Sequence, residues 1–149
     1  GTRIFYAQLS GFDTHGAQIA TQAGLLENMA MSISDFFADL REHNAAENVV
    51  MMIFTEFGRR VRDNGNGTDH GSGGGALLIG DRVNGGLFAE YPSLEPSEHV
   101  SGDLKFNNDF RSLYSTILDD WFGVAPEPIV NGRFEQFDDM IKPAEAQLQ

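Results

Sequence analysis

Val49-Val50-Met51-Met52-Ile53-Phe54, followed at once by Thr55-Glu56-Phe57-Gly58-Arg59, is the stretch whose reading decides the fold. An apolar run without alternation reads as a strand covered on both faces, as in a parallel sheet. Upstream, residues 3–9 are mostly apolar and aromatic and read the same way. Between the two runs, Ile19, Ala23, Leu26, Ala30, Ile33, Phe37 and Leu40 fall at alternating steps of four and three. That spacing predicts a helix from about Ala17 to about His43. At ~1.5 Å per residue it would run about 40 Å, long enough to cross a sheet. Strand, crossover helix and strand make the βαβ pattern of a parallel pair. The expected fold is therefore α/β, a mostly parallel sheet flanked by helices.

Downstream the character changes. Gly65, Gly67, Gly71, Gly73, Gly74 and Gly75 lie among Asn, Thr, Asp and Ser, so residues 56–75 read as a long loop, functional or disordered. Residues 76–79 read as a short third strand, and residues 81–105, with Asn84-Gly85-Gly86, Tyr91-Pro92 and Glu95-Pro96, as mostly irregular chain. A second helix begins near Asp109, with Asn107 or Asn108 as its N-cap. Phe110, Leu113, Tyr114, Ile117, Leu118 and Trp121 form its apolar face and Gly123 its C′ residue. The whole chain, 1–149, reads as one domain, with a polar tail that frays from about residue 141.

Composition narrows the function classes. The chain has 149 residues, 41% of them apolar, and a formal net charge of −12. Nucleic-acid affinity rests on cations that neutralise phosphates, so this balance excludes that class of partner. It also disfavours anionic membrane surfaces, and no apolar run approaches the ~20 residues of a membrane span. An acidic protein can still process an anionic substrate when a metal ion supplies local positive charge. The absence of cysteine rules out disulfides, thiolate metal sites and a thiol nucleophile.

Three polar segments follow the predicted strands and carry the candidate chemistry. They are Gly11-Phe12-Asp13-Thr14-His15, Thr55-Glu56-Phe57-Gly58-Arg59 and Thr68-Asp69-His70-Gly71. Loops leaving the carboxyl ends of parallel strands converge on one edge, where ligands bind. Asp13, His15, Glu56, Asp69 and His70 supply carboxylates and imidazoles suited to a divalent ion such as zinc. Each segment also has a plainer reading. Asp13 could cap the following helix with His15 at the surface. Glu56 could pair with Arg59 or Arg60, and Asp69-His70 could be a surface turn. The glycine-rich loop lacks the G-K-[ST] ending of a P-loop, and it lacks the closing Glu of an EF-hand.

The ordered set GFDTH, long helix, apolar strand, TEFGRR, glycine-rich TDHG and NNDFRSLYSTILDDWFG resembles the bacterial domain-of-unknown-function family 1501. The likeness runs from Arg3 to about Gly123. That family is placed as a distant branch of the alkaline phosphatase and sulfatase superfamily. The resemblance implies a partial alkaline-phosphatase-like domain and a metal-dependent hydrolase of phosphate or sulfate esters. It implies Asp13 and His15 as ligands of one metal, Glu56 as an acidic ligand, His70 as a late histidine ligand and Asp69 as a ligand or as the group that orients His70. Arg59 is then expected to meet a small anionic ester substrate. Where the superfamily commonly has an Asp-His pair, this chain has Glu56-Phe57, which reduces the expectation to one metal. The nucleophile is expected outside this chain, which reads as the C-terminal part of a longer protein whose remaining strands come from the missing N-terminal half or from a second copy. Family members are often exported, which implies a periplasmic or secreted location. The alternative expectation is a non-catalytic envelope module for binding or self-association on the same scaffold.

Overall fold

Helix α1, Gln18–Glu42, is the longest element of the computed structural model, which describes residues 1–144. Its sheltered positions are Gln18, Gln22, Leu25, Met29, Ile33, Phe37 and Leu40. From Ile33 onward this is the expected stripe. In the first half the inward face lies one residue earlier, because both Leu25 and Leu26 are available and Leu25 faces Gly11. A Cβ added at Gly11 would stand 3.2 Å from the Leu25 side chain. Ile19 is left 97% exposed and only Phe37 of the helix is fully buried. At the other end, Arg41 grips Asp81 through Nε (3.2 Å) and Nη2 (2.5 Å). That fork ties the helix end to the chain leaving the last strand.

The sheets correct the expected parallel architecture. Strand β1, Met51–Ile53, pairs antiparallel with β4, Leu77–Ile79, in the register Met51↔Ile79, Met52↔Leu78 and Ile53↔Leu77. Strand β2, Gly58–Asp63, pairs antiparallel with β3, Thr68–Gly71. Each sheet has two strands, and neither contains a parallel pair among the described residues. The α/β reading with a mostly parallel, alkaline-phosphatase-like sheet is therefore overturned. A parallel partner for β1 had to come from residues 3–9, yet these form no strand, and Ile4, Phe5 and Tyr6 stay 74%, 86% and 76% exposed. The chain after β1 carries no helical periodicity to make a crossover. It reverses through a hairpin instead, and a reversing connection yields an antiparallel neighbour.

That hairpin lies where a structureless loop was expected. Asn64-Gly65-Asn66-Gly67 closes it: Asn64 N–H donates to the Gly67 carbonyl (2.9 Å), and the Asn64 side-chain oxygen accepts from the Asn66 and Gly67 amides (3.0 and 2.8 Å). Asn supplies this self-bonded turn and glycine its left-handed step at Gly65 (φ 92°).

The C-terminal third packs through hydroxyls as much as through apolar side chains. Helix α2, Phe110–Thr116, is capped by Asp109 rather than by Asn107 or Asn108; the Asp109 carboxylate accepts from the Arg111 amide at 2.9 Å. Arg111 also forks onto it, which holds the Asp109 carboxyl down at about 2. The helix loosens into a π turn, Ile117–Trp121, before Gly123 (φ 63°) ends it. Thr116 is fully buried: its hydroxyl donates to the Ser112 carbonyl and accepts from the Phe137 amide, each at 2.9 Å. Helix α3, Glu127–Val130, packs beside α2. Beyond it, Ile141 bridges Val83 and Lys142 N–H donates to the Arg82 carbonyl (2.7 Å). Met140 and Ile141 are buried, so the expected fraying at about residue 141 meets anchored chain there, and residues 145–149 lie outside those described.

Candidate metal centre

The hairpin turn docks on the start of α1, and this docking builds the site. Ala17 occupies the N-cap position with φ 51° and no side-chain cap of its own. Asn66 serves in its place: its side-chain oxygen accepts from the Ala17 amide (3.1 Å) and its carbonyl from the Gln18 amide (3.3 Å). Asn64 Nδ2 reaches across to the His15 carbonyl at 3.0 Å. The approach is close enough that a Cβ at Gly67 would stand 2.8 Å from both the Thr14 and His15 carbonyl oxygens. Arg59 fastens the other side, donating to the Phe12 carbonyl (2.6 Å), the Thr68 carbonyl and the Thr14 hydroxyl (3.3 Å). The register then sets His70 opposite Arg59 on the neighbouring strand.

Asp13, His15 and His70 are brought to one point. Asp13 Oδ1 lies 2.9 Å from His15 Nε2 and 2.7 Å from His70 Nε2, and the two imidazole nitrogens are 3.2 Å apart. The side chains keep 62%, 46% and 44% of their surface exposed, so one face of this triangle is open to solvent. Phe57 stacks on the His70 ring at 3.7 Å with an interplanar angle of 11°. The Arg59 guanidinium lies over the Phe57 ring, 4.9 Å from its centre.

Protons decide what the triangle means. Asp69 Oδ1 accepts from Asn64 Nδ2 (3.0 Å) and faces His15 Nδ1 (3.1 Å). Those contacts, Asn64 first and His15 second, hold the Asp69 carboxyl below the usual carboxylate range. An ionised carboxylate only accepts, so His15 Nδ1 carries a hydrogen toward Asp69, and the opposite ring nitrogen, Nε2, turns into the triangle. The hydrogen bond with His70 likewise holds the Asp13 carboxyl down, with the charges of His15, His70 and Arg59 acting in the same direction against burial. Two imidazole nitrogens and a carboxylate oxygen thus face one point. His70 Nε2 donates to Asp13 Oδ1 there at 2.7 Å, and a divalent cation at that point would be met by all three atoms in place of that proton.

The donor set fits such an ion. Two imidazoles and a carboxylate with an open face form the three-ligand arrangement of catalytic sites, and the carboxylate on the far nitrogen of His15 is the usual orienting partner. Ligands held at ~2.1 Å lie about 3.4 Å apart around a tetrahedral ion and about 3.0 Å apart in cis positions of an octahedral one. The observed separations of 2.7–3.2 Å match the second spacing and reach the first with a small expansion.

The remaining candidates sit elsewhere. Glu56 is exposed, outside the triangle and, among the described residues, without an ion-pair partner. Asp69 orients His15, not His70. Arg59 is spent on main-chain and hydroxyl acceptors, which makes it a clamp holding residues 12–14 onto the hairpin. Asp13 does not cap α1. Asn64, Asn66 and Phe57 are contributors that motif reading missed. The first two were visible in the Asn-Gly-Asn-Gly turn signal; the aromatic–imidazole stack left no trace in the spacing.

No curated protein and no solved structure shows a match to this chain. Among known families, residues 1–127 match the one described as "Protein of unknown function (DUF1501)". The order of the site segments and the extent of that match together establish that the chain belongs to the DUF1501 family.

Proposed function

We propose that this chain forms the metal-binding part of a hydrolase for phosphate or sulfate esters, a distant relative of the alkaline phosphatases and sulfatases. Asp13, His15 and His70 hold one divalent ion, with zinc as the first candidate. The observation that carries the reading is the triangle of Asp13 Oδ1, His15 Nε2 and His70 Nε2, together with the Asp69 contact that fixes the His15 tautomer. When bound, the ion supplies Lewis-acid polarisation of an ester oxygen and a source of nucleophile at neutral pH. Asp69 holds the Nδ1 side of His15 so that Nε2 turns to the ion, Phe57 fixes the plane of His70, and the open face leaves room for substrate. Glu56 is left out of the ligand set. The superfamily kinship rests on the order of the site residues, not on the sheet. By the same resemblance the protein works in the bacterial envelope or outside the cell, as the C-terminal part of a longer chain.

Metal analysis after purification without chelator tests the reading. One bound ion per chain is expected, lost in His15→Ala and His70→Ala, with zinc-dependent turnover of p-nitrophenyl phosphate or sulfate by the full protein. A chain that binds no divalent metal sinks it.

A second reading has its own support. Ile4, Phe5, Tyr6, Ile19, Met31 and Phe36 leave large apolar surfaces exposed along the N-terminal segment and α1. Surfaces of this kind mark contact with other polypeptide, which favours an assembly module on the same scaffold. Light scattering that finds a monomer at high concentration removes that support.

A further inference from the structure

Next to the triangle, on the other side of the His15 ring, lies a cavity of about 520 Å³ lined by Arg60, Arg62, Asp63, Asn64, Gly65 and Asp69. Arg60 and Arg62 come from the stretch of β2 between Arg59 and Asp63 where the pairing with β3 shifts register, and both line the cavity. Among the described residues, neither guanidinium has an ion pair or a side-chain hydrogen bond, whereas Arg41, Arg59 and Arg111 are all engaged. Each carboxylate in the same wall has one oxygen engaged. Asp63 Oδ1 accepts from the Gly65 amide (2.8 Å), and Asp69 Oδ1 accepts from Asn64 and His15. The donors left free in this wall are the Arg60 and Arg62 guanidinium groups, in the forked geometry that suits oxyanions.

We infer that this cavity is a subsite for a second anionic group of the ligand, a sulfate, phosphate or carboxylate held by Arg60 and Arg62 while a first anionic group meets the metal triangle. Asp69 joins the two places: it lines the cavity and holds His15 by the nitrogen opposite the triangle. The expected ligand is at least doubly anionic, which an isolated metal site would not require. This assignment rests on the metal-site reading for its role as a substrate subsite, but not for anion binding itself.

The test separates the two. Metal-free chain is titrated with inorganic sulfate, inorganic phosphate and acetate while the Nε–Hε signals of Arg60 and Arg62 and the Gly65 amide are followed by NMR. Sulfate is expected to shift these signals saturably, and Arg60→Gln/Arg62→Gln to weaken binding by about tenfold or more. Tetrahedral anions preferred over acetate identify an ester or phosphate group; acetate bound as well identifies a carboxylate. No shift at these signals in the parent chain overturns the subsite, whatever the variant does. With zinc loaded, a disulfated disaccharide is expected to bind about tenfold more tightly than its monosulfated counterpart, and the double variant to erase the difference. Equal binding by the parent overturns the doubly anionic ligand. Sulfate binding in a chain that takes up no zinc overturns the role in hydrolysis and leaves the anion site standing.

Discussion

Gly67→Ala is the sharpest way to ask whether the site depends on the hairpin turn docking against the start of α1. The added Cβ would lie 2.8 Å from the Thr14 and His15 carbonyl oxygens. Both are main-chain atoms, so neither can swing aside, and the turn has to move away. Three hydrogen bonds cross this contact: Asn64 Nδ2 to the His15 carbonyl, Ala17 N–H to Asn66 Oδ1 and Gln18 N–H to the Asn66 carbonyl, at 3.0, 3.1 and 3.3 Å. At about 1 kcal/mol each, their loss together destabilises by up to about 3 kcal/mol. For a chain of this size that lowers the thermal midpoint by about 6–12 °C if the whole molecule unfolds with the turn. If only the turn opens, the change appears instead as faster hydrogen exchange at Ala17, Gln18 and Asn66. Zinc affinity falls in either case, because Asn64 also orients Asp69. Gly75→Ala is the control, since a Cβ there meets nothing within 4 Å. A Gly67→Ala protein that matches Gly75→Ala in melting, exchange and zinc binding refutes the idea that this contact builds the site.

Other outcomes follow from the same geometry. Asp69→Asn leaves the triangle atoms in place but frees the His15 tautomer, and zinc affinity measured by chelator competition is expected to drop about ten- to hundredfold. Phe57→Ala removes the ring stacked on His70 and is expected to weaken zinc about three- to tenfold. Phe57→Tyr, which keeps the stack, should restore most of that affinity. The Asp109 carboxyl, held at about 2 by Arg111, contributes stability that is complete above the ordinary aspartate value of 3.8 and lost as the pH falls through about 2. A carbon-13 titration should show that low midpoint and its return toward the ordinary carboxylate range in Arg111→Gln; an unchanged midpoint would mean the fork is not formed in solution.

What the sequence reveals differs between local and non-local features. The α1 spacing is legible because helical periodicity is a property of one segment, although the sheltered face is off by one residue where Leu25 and Leu26 compete. Strand pairing is not a property of one segment. The run at 49–54 is compatible with a parallel or an antiparallel neighbour, and only the hairpin between β1 and β4 decides. That hairpin was announced by Asn64-Gly65-Asn66-Gly67, a turn signal that glycine richness disguised as loop. At the site, Asp13, His15 and His70 are chemically conspicuous in sequence. Glu56 is equally conspicuous yet lies apart, because spacing does not say which strand-end residue faces the cleft. Arg59 illustrates the same limit: a cation beside a metal motif suggests substrate, while its actual neighbours are carbonyl oxygens.

The site is held by hydrogen bonds between exposed segments more than by a buried core, and that has a thermodynamic consequence. Asp13, His15 and His70 come from two regions joined by Asn64, Asn66 and Arg59, with Thr14 and Gly67 buried at their junction. A ligand that binds only the closed arrangement stabilises it by mass action, about 2.7 kcal/mol at a hundred times its dissociation constant. Zinc should therefore raise the thermal midpoint and slow exchange at Ala17 and Gln18, and it should do so less in Asn66→Ala, where part of the binding energy goes into closing the turn. If zinc binds with no change in exchange at those amides, the triangle is rigid without metal, and the turn contacts are not what holds it together.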